Sequence, residues 1–341
     1  MVGIGILGCG TIGPLHAEAV AGIAGARLVA VADQHLERAE EVARGAGGDV
    51  VARGDLHGLL AVPGVDLVCV CTPSGTHADL GCAIAEAGRH VVLEKPIDTD
   101  PGAAERVLKT AAKAGVVLSV IAQHRFDEGL DRLHRAIGAG ELGEVVLGEG
   151  RAWWYRTQAY YDADAWRGTW ALDGGALSNQ GVHLVDLLLW LLGPVDSVFA
   201  RSRTAAHAME AEDVIVASLR FASGALGALT VTTASYPGAP ETIAVAGPEA
   251  SVLVESGRVV SWRSARGAAE EDGAVGLPAA SAARGSRGLA VDAHRAQLQD
   301  VVDAVREQRR PAVTGEDGCA ALAVVAAAYA SARDGGDVTV A

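Results

Sequence analysis

A glycine-rich turn near the start of the chain constrains the fold more than any other feature. The apolar run Gly3–Leu7 predicts a strand, and a helical pattern follows over 12–23. Gly8, Gly10 and Gly13 lie at the junction in the spacing G-x-G-x-x-G, which in this context is typical of a dinucleotide site. Gly8 permits the tight turn, and Gly10 lets the backbone approach a pyrophosphate. Gly13 lets helix and strand pack closely, with the helix N-terminus facing the anion.

An acidic residue ends the second predicted strand. Asp33 lies about twenty residues after Gly13, where a carboxylate can bind the 2′-hydroxyl of a ribose. The next two residues include no arginine for a 2′-phosphate, so the pattern favours NAD over NADP. The loop residues Thr11 and Ile12 are predicted to contact the same cofactor. The alternative interpretation is a glycine-rich turn with a helix-capping Asp33 and no cofactor.

The first third of the chain alternates short apolar runs with helical patterns. Further apolar runs are Leu28–Ala32, Leu67–Cys71, Val91–Leu93 and Val116–Ile121, and further helical patterns lie at 35–46, 77–87 and 101–114. Strands that alternate with helices of about 10–15 residues indicate βαβ units and a parallel sheet. We therefore predict an α/β N-terminal Rossmann domain over residues 1–123.

The remainder, 124–341, has a different pattern. A helix near 128–138 and a strand near 144–154 precede a long apolar helix, roughly Ala176–Leu192. Strand candidates follow at 195–204, 213–221, 225–235, 241–246, 251–255 and 258–262, then helices near 290–308 and 317–333 and a strand at Val338–Val340. This order predicts an α+β C-terminal domain with an open, mainly antiparallel sheet, whose last helices can pack back on the first domain. Residues 263–288 lack periodicity and are expected to be a mobile cover or disordered.

The chain is acidic, with a formal net charge of −14 and no basic run. This balance argues against nucleic acid and anionic membrane surfaces as partners. Two uncharged stretches, 221–240 and 319–332, are too interrupted or too weakly hydrophobic to span a bilayer. The first residues include no basic residue and resemble a first strand rather than a signal peptide, so a cytoplasmic location is expected.

The five cysteines are an odd number and lack zinc spacing. Cys69 and Cys71 lie two apart in a predicted strand, so they share a face as packing residues and are expected to be reduced. No group of metal-binding residue types has metal-ligand spacing, so no metal site is expected. His16 is expected to pack or to face solvent, and His294, which begins a predicted helix, is expected at the surface.

Two further motifs give the chain a resemblance to a known family. Glu94-Lys95-Pro96 follows the predicted strand Val91–Leu93, and the run Gly174–Asp186 reads GGALSNQGVHLVD. With the glycine turn, these motifs resemble the Gfo/Idh/MocA family, which contains glucose–fructose oxidoreductase and inositol dehydrogenase. The resemblance covers essentially the whole chain, including the order of the domains. It implies an NAD(P)-dependent dehydrogenase or reductase that transfers a hydride between nicotinamide and a ring carbon of a sugar or sugar derivative.

Lys95 and His183 are the expected catalytic residues. Lys95 is predicted at the C-terminal end of a parallel strand, where ligands bind, and Pro96 disfavours helical geometry there. The resemblance implies that Lys95 hydrogen-bonds to the reacting oxygen. His183 shares a helix face with Asn179, and Asp186 lies near enough to orient it. The unperturbed pKa of a histidine is ~6.5, close to neutral pH, so His183 is the expected general base. The alternatives are a surface lysine and a satisfied core histidine.

Asn179 departs from the commonest family pattern. Many members have Asp at this position, and Asn cannot take a proton. An amide still donates and accepts hydrogen bonds, so Asn179 is expected to position the substrate. An Asn in this context resembles the branch that contains UDP-N-acetylglucosaminuronate 3-dehydrogenases.

The resemblance implies further contacts. Gln123, in Gln123-His124-Arg125-Phe126, is expected to contact substrate. The expected cofactor contacts are Thr72, Pro73, Ser74, His77, Glu94, Lys95 and the pair Trp166–Arg167. For His77 a helix cap is the alternative.

Aromatic residues are concentrated in one segment. Seven of the fourteen lie between 153 and 170, and arginines are interleaved with them. Aromatic faces stack on pyranose rings, and arginine binds carboxylate or phosphate. Tyr155, Arg156 and Tyr161 are therefore substrate candidates. The alternative is a hydrophobic patch that packs a loop or a subunit contact.

Two other functions stay open. One is an inositol, polyol or nucleotide-sugar dehydrogenase of the same fold. The other is a catalytically silent, NAD-responsive binding protein, against which the presence of both Lys95 and His183 argues. The predicted sheet would leave a flat face, and a homodimer or homotetramer formed through that face is expected.

Overall fold

The computed structural model describes residues 1–265, 267 and 287–340, with the backbone alone at 287–290. These residues form two compact units. The first comprises Met1–Gln123 and Arg287–Cys319, and the second comprises the described residues of 124–286 and 320–341. Most of the segment 263–288, expected to be a cover or disordered, lies outside the described residues. Its first residues, Arg263 and Ser264, end a strand.

The first unit contains a six-stranded parallel sheet. Its strands are β1 (Val2–Leu7), β2 (Ala26–Ala32), β3 (Val51–Arg53), β4 (Leu67–Val70), β5 (His90–Leu93) and β6 (Leu118–Val120). The spatial order β3-β2-β1-β4-β5-β6 is that of a doubly wound dinucleotide fold, whose order reverses between β1 and β4. This topology confirms the predicted Rossmann domain.

Helices connect the strands of this sheet. They are α1 (Gly13–Val20), α2 (Leu36–Ala46), α3 (Leu56–Leu60), α4 (His77–Glu86) and α5 (Pro101–Ala114), and α9 (Arg287–Glu307) packs on α1. Local chemistry sets the ends of α5. The Asp100 side chain accepts a hydrogen bond from the Ala103 N–H at one end, and Gly115 adopts a left-handed φ of 68° at the other.

The second unit contains an eight-stranded mixed sheet. Its strands are β7 (Leu147–Trp153), β8 (Val195–Arg203), β9 (Val214–Phe221), β10 (Leu226–Thr232), β11 (Thr242–Ala246), β12 (Ala250–Glu255), β13 (Arg258–Ser264) and β14 (Val338–Thr339). The spatial order is β13-β12-β11-β7-β10-β9-β8-β14. The β7–β10 pair is parallel and the other pairs are antiparallel. The predicted open, mainly antiparallel sheet is therefore confirmed.

One face of this sheet is covered by a helix that carries part of the candidate site. The helices of this unit are α6 (Glu128–Gly138), α7 (Gln158–Asp162), α8 (Val182–Leu192) and α10 (Gly315–Asp334), the last from Ala320 onward. Gly148 on β7 allows α8 to lie close, because a Cβ there would lie 2.7 Å from the Leu192 side chain. The opposite face exposes Leu147, Trp153, Val216 and Leu226.

The cysteines agree with the predicted packing role. Cys9, Cys69 and Cys71 are buried, and all five cysteines are free thiols. Burial, with a smaller effect from Asp33, raises the pKa of Cys9 to about 12, so this thiol stays protonated. Among the described residues, no helix combines the length and the hydropathy that crossing a membrane requires.

Candidate cofactor and substrate sites

The glycine turn has the geometry that a pyrophosphate requires. Gly8 has a φ of 99°, and a Cβ there would lie 2.5 Å from the Cys71 carbonyl oxygen. A Cβ on Gly13 would lie 2.1 Å from the Gly8 carbonyl oxygen. Nothing lies within 4 Å of the corresponding point at Gly10. No side chain caps the start of α1, and Pro14 in its first turn has no N–H to satisfy. The turn therefore fits a dinucleotide phosphate on the chain's own geometry.

Asp33 is tied to the glycine turn by its side chain. Its two carboxylate oxygens accept hydrogen bonds from the backbone N–H groups of Cys9 (2.7 Å) and His35 (2.8 Å). The N-cap of α2 is His35, and no side chain caps that helix, so the helix-cap alternative for Asp33 is wrong. A carboxylate oxygen has a second lone pair, so both oxygens can still accept a ribose hydroxyl. The loop residues Thr11 and Ile12 are exposed and half-buried.

A buried histidine holds the turn that follows β4. His77 is 1% exposed, and its Nδ1 and Nε2 lie 2.7 Å and 2.9 Å from the carbonyl oxygens of Pro96 and Thr72. It therefore links the turns that follow β4 and β5. This link favours a structural role over the predicted nicotinamide contact. Ser74 begins a short 3-10 turn, and Pro73 is half-buried before it.

Glu94 is held between two histidines beside Lys95. Its Oε1 lies 2.7 Å from His16 Nε2 and 3.5 Å from His294 Nε2, and its Oε2 accepts from the Lys95 N–H. Burial opposes ionisation of Glu94, but hydrogen bonds from the two histidines outweigh it and hold its pKa well below the usual range. Lys95 directly follows Glu94 at the C-terminal edge of the sheet, as predicted.

The same cluster corrects one expectation. His294 is 3% exposed, so the predicted surface position is wrong: α9 packs on α1 and buries it. His16, Glu94 and His294 also place one ligand atom each within 4.8 Å of one another, although their spacing in the sequence indicates no metal group. Their distances are those of hydrogen bonds from imidazole to carboxylate.

A π turn opens the helix that carries Asn179 and His183. Leu177–Gly181 forms this turn, and α8 continues from Val182 to Leu192. The prediction of one continuous α-helix is therefore corrected at its first turn. Asn179 and His183 are both half-buried. The Asn179 amide nitrogen donates to Asp173, a buried carboxylate that sequence reasoning did not single out.

Two long-range residues satisfy the N–H groups at this helix start. The Tyr329 hydroxyl accepts from Gly175 (3.2 Å) and Ser178 (3.1 Å). The Glu212 backbone oxygen accepts from Ala176, and its Oε1 accepts from Leu177. Tyr329 in turn donates to Glu212 Oε1 at 3.2 Å. The N–H groups of the four consecutive residues 175–178 thus all have partners.

This arrangement fixes the residue types around it. A Cβ on Gly175 would lie 1.3 Å from Glu212 Oε2, so only glycine fits there. Burial raises the pKa of Glu212 to about 8, against the hydrogen bond from Leu177. Sequence reasoning missed both partners, because Glu212 and Tyr329 lie far from the helix start in the chain.

His183 lies against a second histidine. The ring of His124 approaches it edge to face, with centroids 5.0 Å apart. His124 Nδ1 lies 2.8 Å from Asp127, and Nε2 lies 3.6 Å from Glu241. Burial lowers the pKa of His124, but Glu241 and Asp127 together raise it to about 9. His124 is therefore a cation at neutral pH.

Asp186 is held by an arginine. Arg125 Nε and Nη2 donate to its two carboxylate oxygens at 2.9 Å and 2.6 Å, and both side chains are buried. This two-pronged pair fixes Asp186 on α8. That Asp186 also orients His183 stays a prediction. Gln123 begins the turn that carries Arg125 and is 8% exposed.

The aromatic segment forms a ladder of arginine and ring contacts. Arg156 lies over Trp154 and Tyr160, and Arg167 lies over Tyr160 and Trp166, at 4.4–5.3 Å from the ring centroids. Such contacts stabilise the segment itself, as the packing alternative requires.

The three substrate candidates of this segment differ in environment. Tyr155 is half-buried against Tyr236, and Arg156 carries a buried Nε without a hydrogen-bond partner. Tyr161 is 6% exposed and its hydroxyl is bonded to Thr233. These contacts favour packing over substrate contact for Tyr161.

Comparison with known proteins agrees with this architecture. The oxidoreductase family with an NAD-binding Rossmann fold matches residues 2–122, and the GFO/IDH/MocA C-terminal domain matches residues 130–253. Inositol 2-dehydrogenase of Rhizobium meliloti is 30% identical over 100% of this chain and 99% of its own length. Myo-inositol 2-dehydrogenase of Thermotoga maritima is 29% identical, and the match covers 97% of this chain and 96% of that protein.

A solved structure is similar over the same extent. The WlbA dehydrogenase from Bordetella pertussis, crystallised with NADH and UDP-GlcNAcA, superposes with a TM-score of 0.89 at 34% identity. The match covers 100% of this chain and 98% of that one.

Proposed function

This chain belongs to the Gfo/Idh/MocA family of NAD-binding oxidoreductases, and from that premise we propose that it oxidises a ring CH–OH group of a sugar or sugar derivative. NAD is the cofactor, and bound NAD supplies the hydride acceptor. The open space at Gly10, beside the uncapped start of α1, is the observation that carries the cofactor assignment. We place the pyrophosphate on the turn 8–13 and a ribose on Asp33, with contacts from the turn 72–74.

His183 is the proposed general base. It takes the proton of the substrate hydroxyl as the hydride leaves the carbon. A base needs a fixed position, and the π turn before α8 is fixed by Glu212 and Tyr329. The cation at His124 lies against the His183 ring, with 5.0 Å between the ring centroids, so the proposed base takes up its proton beside a like charge.

Lys95 is the proposed electrophile. An ammonium group next to the reacting oxygen stabilises the negative charge that develops as the proton leaves. The paired Glu94 fixes the backbone from which Lys95 projects, through the bond from the Lys95 N–H. The two roles divide the work, since one residue binds the oxygen and the other receives its proton.

Substrate binding is assigned to Asn179, Gln123, Tyr155 and Arg156. Arg156 is half-buried, and its guanidinium is a group that binds carboxylate or phosphate. This arginine favours a charged sugar, such as a uronate or a nucleotide sugar. The cyclitol alternative is supported by the inositol dehydrogenases, which match this chain over nearly its whole length.

An NAD-linked absorbance assay tests the proposal. We would screen hexoses, inositols, uronates and UDP-sugars with the wild type, Lys95→Ala and His183→Ala. The matched controls are Lys109→Ala and His57→Ala, which change exposed residues of the same types. Turnover of one class, lost by a factor of about 10² or more in both site variants and kept in the controls, supports the proposal. NAD binding by calorimetry without any turnover would instead favour the silent binding protein.

The assembly is proposed to be a homodimer or homotetramer. The exposed sheet face that carries Leu147, Trp153, Val216 and Leu226 is the surface on which a second copy would pack. Light scattering tests this: Trp153→Glu should lower the molar mass of the assembly, and a monomeric wild type contradicts it. A cytoplasmic location is also proposed, since the described core keeps its cysteines as free thiols, and cell fractionation tests it.

A further inference from the structure

We propose that Asp173 fixes the side-chain amide of Asn179 with its nitrogen toward the carboxylate, so that position 179 presents an oxygen acceptor to the substrate. The inference rests on the proposed function, in which Asn179 touches the substrate. Asp173 is a positioning residue in this scheme.

Hydrogen bonds hold both the side chain and the backbone of Asp173 in place. It is 2% exposed, and its Oδ2 accepts from the Gly168 N–H at 2.6 Å. Its own N–H donates to the Thr169 carbonyl at 3.1 Å, and the Gly174 N–H donates to the same oxygen at 2.9 Å. These bonds close the loop 168–174 on itself. The carboxylate therefore has a fixed place and a fixed direction.

The second carboxylate oxygen faces the amide. Asp173 Oδ1 accepts from Asn179 Nδ2. The two ends of an amide have nearly the same shape, so its orientation follows from the partners alone. A carboxylate offers only acceptors. Turning the amide over would set its oxygen against Oδ1 with no proton between them. One orientation is thus strongly favoured.

The fixed amide has a chemical consequence for substrate choice. With its nitrogen engaged by Asp173, Asn179 directs its oxygen elsewhere, and an oxygen binds a group that donates. A substrate that fits has a hydroxyl or an N–H next to the reacting carbon. Asn179 then offers a neutral acceptor near His183, while the negative charge of the pair stays on Asp173.

Exchanging the two residues tests the inference. The variants are Asp173→Asn, Asn179→Asp and the double exchange, with Asp162→Asn as control. Asp162 is an exposed carboxylate in the same segment, bonded to Gln158. The measurements are kcat, KM and NAD affinity for the best substrate of the panel, and the melting temperature of each variant.

The expected pattern is recovery on exchange. Asp173→Asn removes the bias on the amide and should raise KM about tenfold, with NAD affinity unchanged. Asn179→Asp places two carboxylates together and should raise KM further and lower the melting temperature. The double exchange restores both the pair and an oxygen at position 179, so KM should return to within about threefold of wild type.

Two outcomes overturn the inference. The first is a double exchange that is as poor in KM as Asn179→Asp, which would mean that the amide nitrogen contacts the substrate. The second is an additive melting-temperature cycle, which would mean that the two side chains do not interact. The melting cycle needs no substrate. A wild type silent on every substrate therefore refutes the proposed function and the substrate step together, and an additive cycle refutes the inference alone.

Discussion

The rings of His124 and His183 meet edge to face, with 5.0 Å between the ring centroids. Asp127 and Glu241 lie 2.8 Å and 3.6 Å from the two nitrogens of His124. Asp186, which is paired with Arg125, also raises the pKa of His124. The proposed base therefore packs against a cation whose charge is stabilised by two carboxylates.

This cation makes stability depend on pH. The pKa of His124 is raised from 6.5 to about 9, so the folded state binds the extra proton between these values. The stabilisation is fully present below about pH 6.5 and is lost as pH rises through 9. In His124→Gln, the fall in the free energy of unfolding between pH 6 and 9.5 should shrink by on the order of 1–3 kcal/mol. Urea denaturation at several pH values measures it.

The matched control for this change is His57→Gln. His57 is exposed on α3, so its replacement should leave the pH dependence as in wild type. If the free energy of unfolding had the same pH dependence in His124→Gln and in wild type, the neighbouring carboxylates would not raise the pKa of His124.

A second prediction concerns the pair Arg125–Asp186. Both side chains are at most 10% exposed, so removal of one partner leaves a buried charge. Asp186→Asn should lower the free energy of unfolding by about 3–5 kcal/mol. The exposed pair Arg106–Asp79 is the control, and Asp79→Asn should cost less than about 1 kcal/mol. Equal losses in a denaturant titration would contradict the buried pairing.

Glu212 gives a pH effect at a different place in the chain. Its pKa is raised by burial from 4.5 to about 8, so it stays protonated in the folded state where the unfolded chain ionises. Its contribution to stability is fully present below about pH 4.5 and is lost as pH rises through 8. Glu212→Gln cannot ionise, so its stability relative to wild type should rise between pH 5 and 9. A constant difference across that range would mean that Glu212 ionises normally.

The secondary structure could be predicted from the sequence only in part. Strands β1 and β2 and helix α5 were predicted because apolar periodicity is a local signal. Strand β3 and helix α3 were missed, since three and five residues carry too little periodicity. Likewise, a π turn differs from an α-turn by one residue in its hydrogen bonds, which no pattern of hydrophobic side chains records.

The candidate site was predictable in part for the same reason. The glycine turn and Lys95 are motifs of adjacent residues, and the structure places them at one edge of the parallel sheet. The partners that hold the site are distant in sequence: Tyr329 lies more than 150 residues from Gly175, and His294 is 200 residues from Glu94. Only the folded chain brings such pairs together, so their spacing carries no signal.

Tyr329→Phe tests the long-range hydrogen bonds that Tyr329 makes at the start of the helix. Phenylalanine keeps the ring but removes the oxygen that accepts from Gly175 and Ser178. Two buried N–H groups then lack a partner, so the free energy of unfolding should fall by about 1–3 kcal/mol. The turnover number should also fall while NAD affinity stays constant, because the start of the helix carries Asn179. Tyr236→Phe, on a tyrosine that is 80% exposed, is the control and should change neither quantity. Unchanged turnover in Tyr329→Phe would mean that these hydrogen bonds contribute to stability alone.

Two alanine substitutions in the glycine turn separate binding from folding. A Cβ on Gly10 meets no atom within 4 Å, whereas a Cβ on Gly13 would lie 2.1 Å from the Gly8 carbonyl oxygen. Gly10→Ala should therefore keep the melting temperature of the wild type but weaken NAD binding by tenfold or more, since its methyl group occupies the space assigned to the pyrophosphate. Gly13→Ala should lower the melting temperature, because backbone atoms must move to admit the methyl group. Calorimetry with NAD and thermal melting of both variants measure the two effects. If Gly10→Ala bound NAD as tightly as the wild type, the pyrophosphate would lie elsewhere, and the assignment of this turn would be wrong.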